Sequence, residues 1–197
     1  MQTLFRAVKK SAFNRDDVHS FLTTRRLPGN VPYLIDNIWE FLRPEEMPSR
    51  RHSAYASPSA EIALASASAR RNNPEDYVVC EIEANGTQMK MAHIQKNDAK
   101  EHEDIDRLRD VVFKAIGGFA DLALSEKMEY APLFLPGVSK EEMRAAFDAS
   151  PKLQALEPII RANSTFWQDA SGTAQPHTGE LFFEMLDGGQ YRLNEVK

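Results

Sequence analysis

The sequence predicts an α+β protein. Three observations predict it: strand patterns open the chain, recur near its middle and close it; helical spacing fills the intervals; and the two kinds of segment do not alternate as a wound parallel sheet requires. At 197 residues, with 42% hydrophobic and 27% charged side chains, the chain has the composition of a folded globular protein. It is long enough to bury a core without disulfides or metal, and one domain spanning residues 1–197 is the expectation.

The first strand is read from Thr3 to Val8, where Leu4, Phe5 and Val8 surround one charged residue, Arg6. Asn14 is read as the cap of a helix running to about Arg26, with Val18, Phe21 and Leu22 at helical spacing and Pro28-Gly29 as its stop. A second helix starts after Asn30 with Pro32 in its first turn, buries Leu34, Ile35, Ile38, Trp39 and Leu42, and ends at Arg43-Pro44. His52 to Ala56 is a short strand leading into Ser57-Pro58, read as a cap and a first helical residue. The helix that follows is rich in Ala and Ser, small enough for close packing, and breaks at Arg70 to Pro74.

Tyr77 to Glu83 is the clearest strand pattern, and Asn85-Gly86 is a strong hairpin signal that predicts Thr87 to Ile94 returning antiparallel to it. Helical spacing runs from Asp104 towards Leu124 with Gly117-Gly118 as a kink or break. Ser139 and Glu142 form a capping box, and Leu153 to Ile160 continues in helical style despite Pro158. Asn163 to His177 is largely polar and reads as a mobile loop. Glu180 to Leu186 and Gln190 to Leu193 flank Asp187-Gly188-Gly189 as a closing hairpin.

A formal net charge of −5 gives no footprint for generic nucleic-acid binding. The pairs Arg25-Arg26, Arg50-Arg51 and Arg70-Arg71 are dispersed, and Arg50-Arg51 reads as a charged loop end. The single cysteine, Cys80, sits in an apolar run and is expected to be buried, which points to a reducing compartment. No apolar stretch is long enough for a membrane span and Met1 to Arg6 does not read as a secretory leader. The expected location is therefore the cytoplasm, including that of a target cell reached by a signal-less secretion route.

Phosphate loops, dinucleotide fingerprints and the serine-hydrolase elbow are absent from the sequence. The five histidines lack metal-ligand spacing, so no metal is expected, and His102-Glu103-Asp104 reads as a solvated helix start.

Three islands remain: Arg6 within Leu4-Phe5-Arg6-Ala7-Val8, Tyr55 and Ser57 within Ser53 to Ser59, and Glu180 within Thr178-Gly179-Glu180-Leu181-Phe182-Phe183. In this order they resemble the ADP-ribosyltransferase superfamily, whose signature is a strand-borne Arg or His, a Tyr or Ser/Thr in a second motif, and a Glu opening a late strand. The resemblance implies a split antiparallel sheet with flanking helices and a reaction in which NAD, as substrate, gives its ADP-ribose to a protein or nucleic-acid target, in a toxin or effector, or to water. Cleaving nicotinamide from NAD builds positive charge on the ribose, which a carboxylate stabilises, and Glu180 is the candidate. Arg6 offers a fork of donors to phosphate or ribose; Tyr55 offers a stacking face for nicotinamide; Ser57 offers a hydroxyl near the ribose, with the following helix start favouring phosphate.

The sequence also departs from the family. Tyr-Ala-Ser-Pro-Ser replaces the Ser-Thr-Ser strand of arginine-modifying members, and Thr178 stands where their first Glu or Gln would be. The tyrosine-type members carry His where this chain has Arg6. Glu184 shares a strand face with Glu180 and is the reserve carboxylate. The same residues have a structural reading: Arg6 as an edge-strand charge, Tyr55 as a core aromatic, Ser57 as a cap and Glu180 as a polar strand end. Two other functions stay open: an inhibitor or immunity-type interaction module using the exposed face of its sheet and the Asn163–His177 segment, and a nuclease or RNA-processing role if the arginine pairs cluster into one positive cleft.

Overall fold

The computed structural model describes residues 3–20, 27, 29–68, 73–85 and 88–196. The chain is α+β, with its strands in two antiparallel sheets. It divides into two compact units, each built from separated stretches: one from 1–24, 45–97 and 170–197, the other from 25–44 and 98–169.

The first unit holds both sheets. Strands β1 (Phe5–Lys9), β4 (Tyr77–Asn85), β7 (Gln190–Glu195) and β2 (Val18–Ser20) lie in the order β1-β4-β7-β2; β3 (Ala54–Ala56), β6 (Leu181–Met185) and β5 (Met89–His93) lie in the order β3-β6-β5. The sheets join where Phe5 and Ser57 exchange backbone hydrogen bonds, Phe5 N to Ser57 O at 2.9 Å and Ser57 N to Phe5 O at 2.7 Å. The edge strands β1 and β3 therefore meet at one end, and the sheet is split beyond it. Alternation decides the core: Val78, Cys80 and Ile82 of β4 and Leu181, Phe183 and Met185 of β6 point into one cluster with Tyr191 and Leu193. Cys80 is fully buried there, as expected.

Both predicted hairpins are corrected. β4 pairs with β1 and β7, and β6 pairs with β3 and β5, so neither strand pairs with its successor. Instead β4–β5 and β6–β7 run side by side as one long antiparallel ribbon that bends from one sheet into the other. From Asn85 to Met89 is four steps while from their partners Gln190 to Met185 is five, so the bend carries one extra residue on the second strand pair. Left-handed backbone at Asp187 (φ 51°) and Gly188 (φ 72°) serves that bend. The local signals for tight turns are genuine at 187–188, but the turn redirects the chain between sheets. Gly86 and Thr87 lie outside the described residues.

The helix expected from Asn14 to Arg26 is also corrected. Asn14 Oδ1 accepts from Asp16 N at 3.2 Å and Asn14 Nδ2 donates to Asp17 Oδ1 at 2.7 Å, closing a turn that leads into β2. Residues 21–26 and 28 lie outside the described set. Helix α2 (Ala60–Ser68) is capped by Ser59, whose Oγ accepts from Ile62 N at 3.2 Å, and not by Ser57, which is occupied by the bridge to β1. Arg70 and Arg71 are outside the described residues.

The second unit is helical. Helix α1 (Tyr33–Leu42) buries Leu34, Ile35, Ile38, Trp39 and Phe41, and packs against α3 (Asp104–Ala115), α4 (Leu124–Phe134) and α5 (Lys140–Ala149). Helix α3 stops at Gly117 and Gly118, both with positive φ, so the kink is a full break. The Ser139/Glu142 capping box forms, and α6 (Pro151–Asn163) carries Pro158 internally. His102-Glu103-Asp104 is solvated only at Glu103: His102 and Asp104 are buried, and Asp104 accepts from Trp39 Nε1 (3.0 Å), Ser164 Oγ (2.8 Å), Phe166 N (3.2 Å) and Arg107 Nη2 (2.6 Å). Nor is 163–177 a bare loop. Its first part forms α7 (Phe166–Asp169), with Phe166 fully buried in the second unit, and Ser171 bridges to β5 in the first. No helix of the described residues is long and apolar enough to cross a membrane.

Candidate functional site

A cavity of about 300 Å³ opens where the two sheets part. Its wall takes Phe5, Arg6 and Ala7 from β1; Tyr55, Ala56 and Ser57 from the end of β3; Ala63, Ser66 and Ala67 from α2; and Asn97, Gly179, Glu180 and Leu181 around the start of β6. Arg6, Tyr55, Ser57 and Glu180 thus line one cleft although they come from three distant stretches of chain. Glu184 does not line it.

Each position has a local cause. Arg6 lies opposite Cys80 across the β1–β4 ladder, on the face that carries the core, and its Nη1 donates to Tyr191 Oη at 3.3 Å. Burial pushes the Tyr191 phenol up, and the Arg6 guanidinium pulls it back in part. Tyr55 lies opposite Phe182, and their rings meet edge to face at 6.4 Å between centroids. Ser57 is buried at the bridge between sheets. The α2 residues in the wall are Ala63, at the end of the first turn, and Ser66 and Ala67 in the second.

Glu180 is fixed from several directions. Its N donates to Lys96 O at 2.7 Å, its O accepts from Ile94 N at 3.0 Å, and its Oε1 accepts from Arg50 Nη2 at 3.2 Å. Both side chains of that ion pair are less than a tenth exposed. The residue before it is glycine by necessity: a Cβ on Gly179 would run into the Ile94 carbonyl oxygen. Glu184 has a different task, since its Oε2 accepts from Ser49 N at 2.7 Å and ties the loop before β3 to β6.

Arg50 is the residue that sequence reasoning missed. It was expected at a charged loop end, yet it is buried, pairs with Glu180, and places its guanidinium carbon 5.9 Å from the Phe182 ring centre. Arg51 is buried as well. The signal in the sequence was adjacency: two arginines immediately before the second island, on a chain whose late strand carries two same-face glutamates. Among the described residues no group of three His, Cys, Asp or Glu side chains is placed to hold a metal ion.

No family model, no curated protein and no solved structure matches the chain.

Proposed function

We propose that the cleft between the sheets binds NAD and that the protein transfers its ADP-ribose to a macromolecular acceptor, with release to water as the closely related reaction. The observation that carries this reading is the convergence of Arg6, Tyr55, Ser57 and Glu180 on one cavity wall. A core has no packing reason to gather a cation, an aromatic, a hydroxyl and a carboxylate at a sheet opening.

The cavity stands at the lower end of ligand-pocket sizes, which suits the nicotinamide and its ribose, with the adenosine half lying outside. Tyr55 offers the nicotinamide a ring face, and Arg6 offers its fork of donors to the diphosphate or ribose. As the bond from ribose C1′ to nicotinamide breaks, nicotinamide leaves with the electron pair and positive charge spreads over the ribose. Glu180 stabilises that charge and orients a ribose hydroxyl, and the acceptor's nucleophile then bonds to C1′ as its proton is lost. Arg50, behind Glu180, holds the carboxylate in place.

Isothermal titration with NAD, beside a Glu180→Ala variant, tests this, followed by labelled NAD with cell lysate. Expected are binding by both proteins and label transfer or nicotinamide release by wild type alone. A folded wild-type protein that does not bind NAD overturns the proposal and leaves a non-catalytic interaction module as the reading.

A further inference from the structure

The stretch that delivers the chain into Glu180 is fastened to one residue. His93 closes β5 and is 1% exposed. Its backbone exchanges two hydrogen bonds with Ser171, each 2.9 Å. Its Nδ1 accepts from Gln175 N at 2.9 Å, and the ring of His177 stacks on it at 4.3 Å between centroids. The chain then passes Gly179, where an added Cβ would lie 3.0 Å from His93 Nε2.

A neutral imidazole that accepts at Nδ1 carries its proton on Nε2. Here Nε2 is buried and has no hydrogen-bond partner among the described residues. Leaving a buried donor unmet is unfavourable, so the ring's polar contribution rests on its other nitrogen, which holds Gln175.

We propose that His93 is a positioning residue whose neutral imidazole latches the chain at Gln175, beyond the backbone pairing at Ser171, and so fixes the approach to Glu180, and that a proton on the ring opens this latch. A protonated Nδ1 is a donor facing the Gln175 N–H, and the bond between them is lost. Burial, and then the neighbouring His177, lower the His93 pKa to about 4, so the latch is closed at neutral pH and opens in acid. His177 is the titratable group of the segment that faces the ring. On β6, Leu181 lies opposite His93, while the Glu180 side chain turns to the other face, towards Arg50. Lys96 meets Glu180 through its backbone carbonyl. The consequence for activity rests on the proposed role of Glu180; the latch itself does not.

The test is imidazole 15N NMR with amide hydrogen exchange on the full chain, from neutral pH to below the His93 pKa. At neutral pH the Nε2–H tautomer is expected. As His93 takes up its proton, Gln175 should lose protection by about tenfold relative to the sheet amides of Ala92 and Phe182. His93→Asn presents an oxygen in place of Nδ1 and does not titrate, so it should keep Gln175 protected and remove the acid step. His93→Leu should lose that protection at neutral pH. Equal protection in His93→Leu and wild type overturns the latch, as does an acid step that persists in His93→Asn. If the variants do not fold, the wild-type titration decides alone: a Gln175 amide unmoved as His93 is protonated refutes the proposal. Where wild type turns over NAD, His93→Leu should lower kcat about tenfold with KM little changed and His93→Asn should restore it. Absence of NAD turnover by wild type would sink the proposed function and leave the exchange result to judge the latch.

Discussion

The Arg50 guanidinium lies 3.2 Å from the Glu180 carboxylate, with both side chains less than a tenth exposed. Removing one member of such a pair leaves the other as a buried charge, an effect of about 3–5 kcal/mol. Arg50→Ala should therefore lower stability by about 3 kcal/mol, measured by urea unfolding at neutral pH. Arg50→Lys keeps the charge but not the planar fork and should fall between the two. Indistinguishable unfolding of Arg50→Ala and wild type would show that the pair contributes nothing net.

The two glutamates of β6 should separate by function. Glu180→Gln keeps the shape of the side chain and should abolish NAD turnover while NAD binding persists, with a loss of stability because the buried pair with Arg50 loses its negative charge. Glu184→Gln weakens a charge-assisted bond to Ser49 N, worth about 1–2 kcal/mol, and should leave turnover in place. Steady-state kinetics beside thermal unfolding of both variants checks the assignment, and the reverse pattern would transfer the carboxylate role to Glu184.

Gly179→Ala places a methyl group against the Ile94 carbonyl oxygen, where Ile94 N donates to Glu180 O and the backbone does not yield cheaply. A loss of about 1–3 kcal/mol is expected, together with displaced amide signals for Ile94 and Glu180 in NMR spectra. Unchanged spectra would mean that the ladder opens without resistance at this point.

Two pH windows should be visible in stability. The folded pKa of His93 is depressed to about 4 from an ordinary 6.5, so the unfolded chain binds the proton more tightly. Its contribution is complete above 6.5 and is lost as pH falls towards 4, by roughly 3 kcal/mol in all. Burial alone would raise Asp104, but the bonds from Arg107, the Thr165 amide, Trp39 and Ser164 hold it below its ordinary 3.8. That contribution is present above 3.8 and fails only below it. Urea midpoints measured across pH should show the upper window vanish in His93→Asn and the lower one in Asp104→Asn.

What the sequence disclosed was local. Strand alternation at Tyr77 to Glu83, the Ser139/Glu142 capping box and the proline start of α1 depend on neighbours within a few residues, and all three form. Partner choice does not depend on neighbours. Asn85-Gly86 and Asp187-Gly188 are local turn signals, yet only long-range burial determines that the strand after β4, and likewise the strand after β6, belongs to the other sheet. Asn14 has the same ambiguity, because the side-chain bonds that start a helix also close an isolated turn. In the cleft, Arg6, Tyr55, Ser57 and Glu180 were legible by residue type and order. Arg50 was not, because an arginine in a polar loop has no local mark that distinguishes burial against a glutamate from exposure to water.

The bent ribbon has a consequence for how the protein is made. β6 is the middle strand of its sheet and β7 is an interior strand of the other, so both sheets wait for residues 181–195. During synthesis, β2, β3 and β5 emerge before the strands they pair with, and β4 has β1 on one side only, so their open edges are exposed to mispairing and to capture by other chains. The helical unit, whose last residue is Asp169, faces no such delay. The second sheet and the cleft cannot be complete until β6 has left the ribosome's exit tunnel, and the first sheet waits longer still, for β7.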